Sequence, residues 1–117
     1  MREALRLSPR DIQVHIWIAF SGVAKLYLDE DQEAVARLRR ATEINTNFSI
    51  PHFMLAAALA RLDRVKEARA AVEAGLAVDP LFTVIRFRTT TQSDNPTYLA
   101  QHQRVCDSMS KGGVPEG

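Results

Sequence analysis

The chain repeats part of its own sequence at a constant offset, and this internal repeat restricts the possible folds more than any other feature. Residues 22–46 align with residues 56–80 without a gap, and Phe48 falls on Phe82 in the same register. Such a period indicates a fold built from copies of one unit, each of which packs against its neighbours. Identical pairs within the two segments include Ala24 and Ala58, Leu28 and Leu62, Asp29 and Asp63, Glu33 and Glu67, and Ala34 and Ala68.

Each copy of the repeat has the pattern of two consecutive helices. The apolar stretch of residues 12–28 is too long for an ordinary strand, and we expect it to be a helix that is buried on more than one side. Helix-capping residue types mark the starts of the three helices that follow. The predicted helices are residues 12–28, residues 31–45 capped by Asp31, residues 49–62 capped by Ser49, and residues 63–78 capped by Asp63.

After Pro80 the repeat ends and the chain follows a different pattern. Residues 81–87 predict a truncated helix and residues 88–94 a loop. Asn95–Pro96 predicts an N-cap followed by the first residue of a last helix, which runs to about Ser110.

The period and the small residues of the repeat resemble those of tetratricopeptide repeats, which are helix–turn–helix units of about 34 residues. In that family a small residue of the first helix faces one of the second, and another small residue follows seven positions later. The matching residues are Gly22, Ala34 and Ala41 in the first unit, and Ala56, Ala68 and Gly75, followed by the closing Asp79–Pro80, in the second.

Several positions depart from the family pattern. Asp29 and Asp63 stand where the turn glycine is usual, Thr46 stands in place of a proline, and Lys25 in place of an aromatic residue. The resemblance nevertheless implies an all-α fold, a TPR-type α-α superhelix of about two full repeats. A partial N-terminal repeat and a C-terminal capping helix would complete it. A generic helical bundle is the alternative.

The start of the chain matches the end of a repeat, because "ALRLSP" (residues 4–9) aligns with "ATEINT" (residues 41–46). About three repeats are needed to bury the apolar faces, so we expect the chain to be the C-terminal piece of a longer array. The implied division is the end of a preceding repeat (1–10), unit 1 (11–48), unit 2 (49–82), a short helix, loop and capping helix (83–110), and a disordered tail (111–117).

The sequence contains no constellation typical of catalysis. It has no glycine-rich phosphate loop, no Cys-x-x-Cys and no His-Glu-x-x-His motif. His102 and Cys106 have the spacing of two metal ligands on one helix face, but we interpret them as a surface histidine beside a half-buried thiol. We therefore expect a segment without enzymatic activity, cofactor or metal.

Composition and charge indicate a soluble cytoplasmic chain. The formal net charge is +1, and the arginines are dispersed among acidic residues, so we expect no nucleic-acid contact by this segment. The single cysteine favours a reducing compartment. The chain has no apolar run long enough for a membrane span, and we expect no membrane partner.

The resemblance implies a concave groove lined by the first helix of each unit. Arg61 is its only cation and no asparagine lines it, which argues against capture of a terminal carboxylate. The groove would pack on the chain's own last helix, on a second copy in a homodimer, or on a protein or peptide partner. The predicted lining residues are Ile16, Ala19, Phe20, Val23, Tyr27, Ile50, Phe53, Met54, Ala57 and Arg61.

The chain as a whole is similar to the C-terminal tetratricopeptide regions of bacterial class III adenylate/guanylate cyclases and of related winged-helix regulators. The segments "SDNPTYLAQHQRV" and "GGVPEG" carry most of this resemblance. It implies a non-catalytic interaction or dimerisation module that regulates a signalling protein, with any cyclase chemistry upstream. The alternatives are the sensor tail of a winged-helix transcriptional regulator and a stand-alone short adaptor.

Overall fold

The computed structural model describes the backbone of residues 9–90 and 94–117, and the side chains of these ranges from Ile16 onward. Most of the predicted preceding repeat, and residues 91–93 of the predicted loop, lie outside the described residues. The described part is all-helical and has no β-strand, which confirms the predicted all-α class. Its helices are α1 (Pro9–Tyr27), α2 (Asp31–Ile44), α3 (Ser49–Arg61), α4 (Val65–Val78), α5 (Val84–Arg88) and α6 (Pro96–Gly112).

The turns after α1 and α3 have the same geometry. Asp29 and Asp63 adopt left-handed backbone conformations, with φ of 64° and 59°. The amide of the next residue then donates to a carbonyl five positions back, from Glu30 to Lys25 at 2.9 Å and from Arg64 to Leu59 at 2.9 Å. Aspartate tolerates this conformation better than most residues, so it can stand where a turn glycine is usual.

The N-cap positions of α2, α3 and α4 each lie one residue away from the residue that the sequence predicts. Asp31 is the first residue of α2 and Ser49 the first residue of α3, while Asp63 lies in the turn before α4. The N-cap positions are held by Glu30, Phe48 and Arg64, and none of these makes a side-chain capping hydrogen bond. The left-handed turn residue determines where α2 and α4 start. The capping preference of the side chains does not determine these starts.

Small residues allow the paired helices to approach closely. A Cβ atom on Gly22 of α1 would lie 2.7 Å from Cγ of Leu38 in α2. A Cβ atom on Gly75 of α4 would lie 2.7 Å from Cζ of Phe53 in α3. Phe53 is fully buried and stacks on Phe82, with the ring centroids 3.9 Å apart. Glycine is therefore required at both crossings.

The central helix of the core is α3, which packs against α2, α4 and α6 and also touches α1. All residues from Pro51 to Ala60 are buried. Alanines dominate this stretch because helices approach it from several sides. Helix α6 approaches α3 closely at Gly112, where an added Cβ would lie 3.1 Å from the carbonyl oxygen of Ala56.

The C-terminal segment is held against the body of the protein. As predicted, Asn95 caps α6, and its side chain accepts hydrogen bonds from the amides of Thr97 and Tyr98. The last helix ends at Gly112, and Gly113 follows with φ of 103°.

The tail after α6 differs from the predicted disordered segment. Val114 is buried, and the carbonyls of Pro115 and Glu116 accept hydrogen bonds from the amides of Val84 and Ile85 at 2.8 and 3.0 Å. The first amides of a helix have no acceptor within the helix, and the tail supplies acceptors to the start of α5.

Candidate functional site

A pocket of about 420 Å³ opens between α1, α3, α5 and α6. Its wall is almost entirely apolar and aromatic, and none of the described residues that line it is Asp, Glu, Lys or Arg. Its volume falls within the roughly 300–1,000 Å³ typical of ligand pockets. The lining residues are Phe20, Val23, Ala24, Tyr27, Ile50, Met54, Phe87, Thr90, Tyr98 and His102.

Half of the predicted groove residues meet in this pocket. Phe20, Val23 and Tyr27 line it from α1, and Ile50 and Met54 line it from α3. These side chains reach the pocket because residues three, four or seven positions apart lie on one helix face.

The other predicted groove residues lie elsewhere. Ala19, Phe53 and Ala57 are buried in the core, with at most 4% of their surface exposed. Ile16 lies on α1 beyond the pocket and is 40% exposed. Phe53 packs against Gly75 of α4 and stacks on Phe82, and α6 packs on another part of α3 at Ala56.

Arg61 is the predicted groove cation, but its side chain links three parts of the structure. Nη1 donates to the carbonyl oxygen of Leu26 at 2.8 Å and to Asp31 at 3.1 Å, with Asp29 at 3.4 Å. Nε donates to Oγ of Ser108 in α6 at 2.8 Å. Only 12% of the Arg61 side chain is exposed, so its charge serves the contact between α3, α6 and the α1–α2 turn.

His102 forms the polar centre of the pocket wall. It is buried, with 3% exposure, whereas the sequence predicts a surface histidine. Nε2 lies 3.2 Å from the carbonyl oxygen of Phe87, and Nδ1 lies 2.8 Å from the Tyr27 hydroxyl. A carbonyl can only accept, which assigns the proton to Nε2. In the neutral ring, Nδ1 then accepts from Tyr27.

Aromatic rings surround this pair of hydrogen bonds. The ring of Phe87 stacks on His102 with centroids 4.8 Å apart, and Tyr98 stacks on Tyr27 at 5.8 Å. Burial raises the pKa of Tyr27, so its hydroxyl stays protonated at neutral pH. The Tyr27 hydroxyl and both ring nitrogens of His102 are therefore engaged in hydrogen bonds within the pocket wall.

The sequence interpretation missed the pocket residues that follow the repeat, namely Phe87, Thr90, Tyr98 and His102, and also Ala24 of α1. Tyr98 and His102 are four residues apart in the last helix and therefore share a face. This spacing is the sequence feature from which a pocket wall on the last helix could have been predicted.

The thiol of Cys106 lies apart from the pocket and is fully buried. Burial raises its pKa, which keeps it protonated and unreactive. Within residues 9–90 and 94–117, no group of three or more His, Cys, Asp and Glu side chains is placed to hold a metal ion.

The pocket continues onto an exposed apolar surface of α1. Trp17 and Phe20 are 65% and 67% exposed, and Phe20 also forms part of the pocket rim. Adjoining aromatic side chains of this size mark a surface that is suited to contact with another molecule.

Comparison with known proteins finds no matching family model and no significantly similar curated protein or solved structure. In the described part of the chain, no helix has the length and apolar character needed to cross a membrane.

Proposed function

We propose that the chain is a non-catalytic protein-interaction module of the tetratricopeptide type. It binds a large apolar side chain of a protein partner in the pocket between α1, α3, α5 and α6. The observation that carries this proposal is the uncharged pocket of about 420 Å³ with exposed Phe20 at its rim. Apolar surface of this kind favours contact with an apolar group over exposure to water.

The backbone hydrogen bonds support the assignment to the repeat family. The turn bonds of Glu30 and Arg64 recur one repeat period apart with the same length. The bonds that close the two helix pairs recur as well, from Phe48 to the carbonyl of Asn45 at 3.4 Å and from Phe82 to that of Asp79 at 3.3 Å. Two units with one sequence period and one turn geometry are what a helical repeat requires.

The polar groups of the pocket support binding rather than catalysis. Both ring nitrogens of His102 have partners, and burial keeps the Tyr27 hydroxyl protonated. A general base or nucleophile needs a free lone pair within reach of a substrate. These two side chains use their hydrogen-bonding groups to hold α1, α5 and α6 together.

The composition of the wall limits the ligand to an apolar group. The rings of Phe20, Tyr27 and Tyr98 offer faces for stacking, and Met54 offers a polarizable side chain that adapts to irregular shapes. A leucine, methionine or aromatic side chain on a peptide suits this wall. A carboxylate or ammonium group would lose hydration without gaining a charged partner.

The place of this module in a cell stays a prediction. The regulatory role in a cyclase-like signalling protein, the winged-helix alternative and the adaptor alternative all depend on the sequence resemblance.

A selection of displayed random peptides on the purified chain tests the proposal. We expect the enriched peptides to share a large apolar residue, and Ala24→Glu at the pocket rim to weaken their binding at least tenfold. Ala74→Glu is the matched control, because Ala74 is also exposed and helical but lies on α4.

Binding is measured by titration calorimetry, and circular dichroism verifies that both variants fold. The proposal fails if no peptide is enriched. It also fails if the enriched peptides bind both variants equally.

A further inference from the structure

Helix α6 ends in a turn that directs the following residues back toward α5. The amide of Gly113 donates to the Ser110 carbonyl at 3.1 Å. The amide of Val114 donates to the Met109 carbonyl at 3.0 Å. These two bonds, with a left-handed residue directly after the helix, form a Schellman turn, and Gly113 has the required φ of 103°. We call residues 113–116 the strap.

The strap supplies hydrogen-bond acceptors that α5 lacks. Helix α5 has only five residues, and a helix of this length is not stable by itself in water. The amide of Val84 donates to the Pro115 carbonyl at 2.8 Å. The amide of Ile85 donates to the Glu116 carbonyl at 3.0 Å. The start of α5 therefore depends on the strap for two of the acceptors that a helix cannot provide to its own first turn.

Few other contacts hold α5 in place. Among the helices in the described ranges, α6 alone comes close to the backbone of α5. Near the other end of α5, the carbonyl of Phe87 accepts a hydrogen bond from Nε2 of His102 at 3.2 Å. Segments with few packing contacts open at a lower free energy than the core does. We therefore expect the order of α5 to depend strongly on the strap.

Helix α5 and the residues after it form one wall of the pocket. Phe87 and Thr90 line the pocket, together with residues of α1, α3 and α6. The strap residues are not among the described residues that line it. The strap therefore affects a ligand in the pocket through the position of α5, without touching the ligand.

We infer that the strap regulates the pocket: its release from α5 lowers the affinity of the pocket for an apolar ligand, and a bound ligand in turn tightens the strap. This inference rests on the proposed function, because it takes the pocket to be the binding site. The strap and the ligand favour the same position of α5, so their binding free energies are coupled. Such coupling is reciprocal, and each of the two strengthens the other by the same factor.

Two substitutions release the strap in different ways. Gly113→Ala puts a Cβ atom on a residue with φ of 103°, a conformation that residues other than glycine rarely adopt. The added Cβ would lie 3.7 Å from Cγ of Arg69, an ordinary contact distance, so this substitution acts through the backbone of the turn. Val114→Ala instead removes apolar contacts of a side chain that is 4% exposed and belongs to the core.

Val35→Ala is the matched control for Val114→Ala. Val35 is buried to a similar extent, with 6% of its surface exposed. It lies on α2, which packs on α1 and α3, and it does not line the pocket. Val35→Ala should therefore lower the stability of the whole fold in urea unfolding but leave the strap in place.

The release of the strap is measured by amide hydrogen exchange, followed by NMR at Val84 and Ile85. We expect Gly113→Ala and Val114→Ala to accelerate exchange at these two amides by at least about fivefold, and Val35→Ala to leave it unchanged. These amides exchanging without protection in the wild type would overturn the inference, and this measurement needs no ligand.

The affinity of the pocket is measured by fluorescence titration with N-phenyl-1-naphthylamine, an uncharged apolar dye. Loss of binding in Ala24→Glu verifies that the dye occupies the pocket. We expect Gly113→Ala and Val114→Ala to weaken dye binding by at least about fivefold, and Val35→Ala to leave it unchanged. In the wild type, saturating dye should slow exchange at the first amides of α5 by a similar factor.

The outcomes separate this inference from the proposed function. Dye binding at the pocket that is as tight in Gly113→Ala and Val114→Ala as in the wild type would overturn only the inference. A loss of affinity in Val35→Ala as large as in Val114→Ala would also overturn it, because the effect would then follow the stability of the whole fold. A dye that does not bind, or that binds Ala24→Glu equally well, would overturn the proposed function and the coupling with it.

Discussion

The guanidinium of Arg61 is the polar link between the first helix pair and the last helix, and its removal tests this role. Arg61→Met keeps the length of the side chain and its apolar contacts but removes every donor. The lost hydrogen bonds join Arg61 to the Leu26 carbonyl, the Asp31 carboxylate and the Ser108 hydroxyl, at 2.8 to 3.1 Å. Asp29 loses a more distant contact at 3.4 Å.

The expected cost follows from these contacts. A hydrogen bond to a charged group contributes about 1.5–3 kcal/mol, and bonds that share one guanidinium are not additive. The Leu26 carbonyl retains the amide of Asp29 as a donor, and Asp31 retains contact with solvent, which limits the loss. We therefore expect a decrease of about 2–4 kcal/mol in the free energy of unfolding. For a chain of this length, that corresponds to a melting temperature lower by roughly 8–16 °C.

Arg64→Met is the matched control, because Arg64 lies three residues later and its side chain pairs with Glu67 on an exposed surface. Urea unfolding followed by circular dichroism measures both variants against the wild type. We expect no measurable change for Arg64→Met. Equal stabilities of the two variants would refute the structural role of Arg61.

Two further substitutions test the packing of α4 on α3 and the hydrogen bond between Tyr27 and His102. For Gly75→Ala, helix propensity alone predicts a gain of about 1 kcal/mol, but the added Cβ would meet the Phe53 ring at 2.7 Å and overpacking costs about 1–3 kcal/mol. We expect a net loss in urea unfolding, and a gain in stability would contradict it. Tyr27→Phe should lower stability at neutral pH by about 1–2 kcal/mol, because His102 Nδ1 loses its partner. Burial raises the pKa of Tyr27 in the folded state, so its stabilising effect is complete below the unfolded value of 10.0 and is lost as pH rises above it. The variant should therefore lose less stability than the wild type between neutral and alkaline pH, whereas Tyr98→Phe as the control should retain this dependence on Tyr27.

The helix pairs could be predicted from the sequence because their signals are local and repeated. The repeat period and the small residues Gly22 and Gly75 indicate where the helices pair. The structure has close crossings at both glycines, on Leu38 and Phe53. The N-caps of α2 and α4 could not be predicted from residue types alone, because Asp29 and Asp63 form the left-handed turns that precede these helices, whereas Asn95 caps α6 as its residue type predicts.

The position of α6 could not be predicted, because it depends on contacts between residues far apart in the sequence. The residues of α6 have no counterpart in the repeat, so the repeat period does not predict which of them face the other helices. The glycine that brings α6 onto Ala56 and the buried position of His102 both follow from this packing. The pocket residues on α6 could therefore not be predicted, while most of those on α1 and α3 followed from helical spacing.

The packing of α6 determines what the remaining pocket can bind. It covers the part of α3 around Ala56 and engages Arg61 through Ser108, so this region of the predicted groove is occupied by the chain itself. Farther along, His102 and Tyr98 form a wall opposite α1 and leave a pocket of about 420 Å³. A long helical partner would have to displace α6 together with the hydrogen bonds of Arg61 and His102. A single apolar side chain enters without breaking any of these contacts, which is why we favour an anchored side chain over a full helix in the groove.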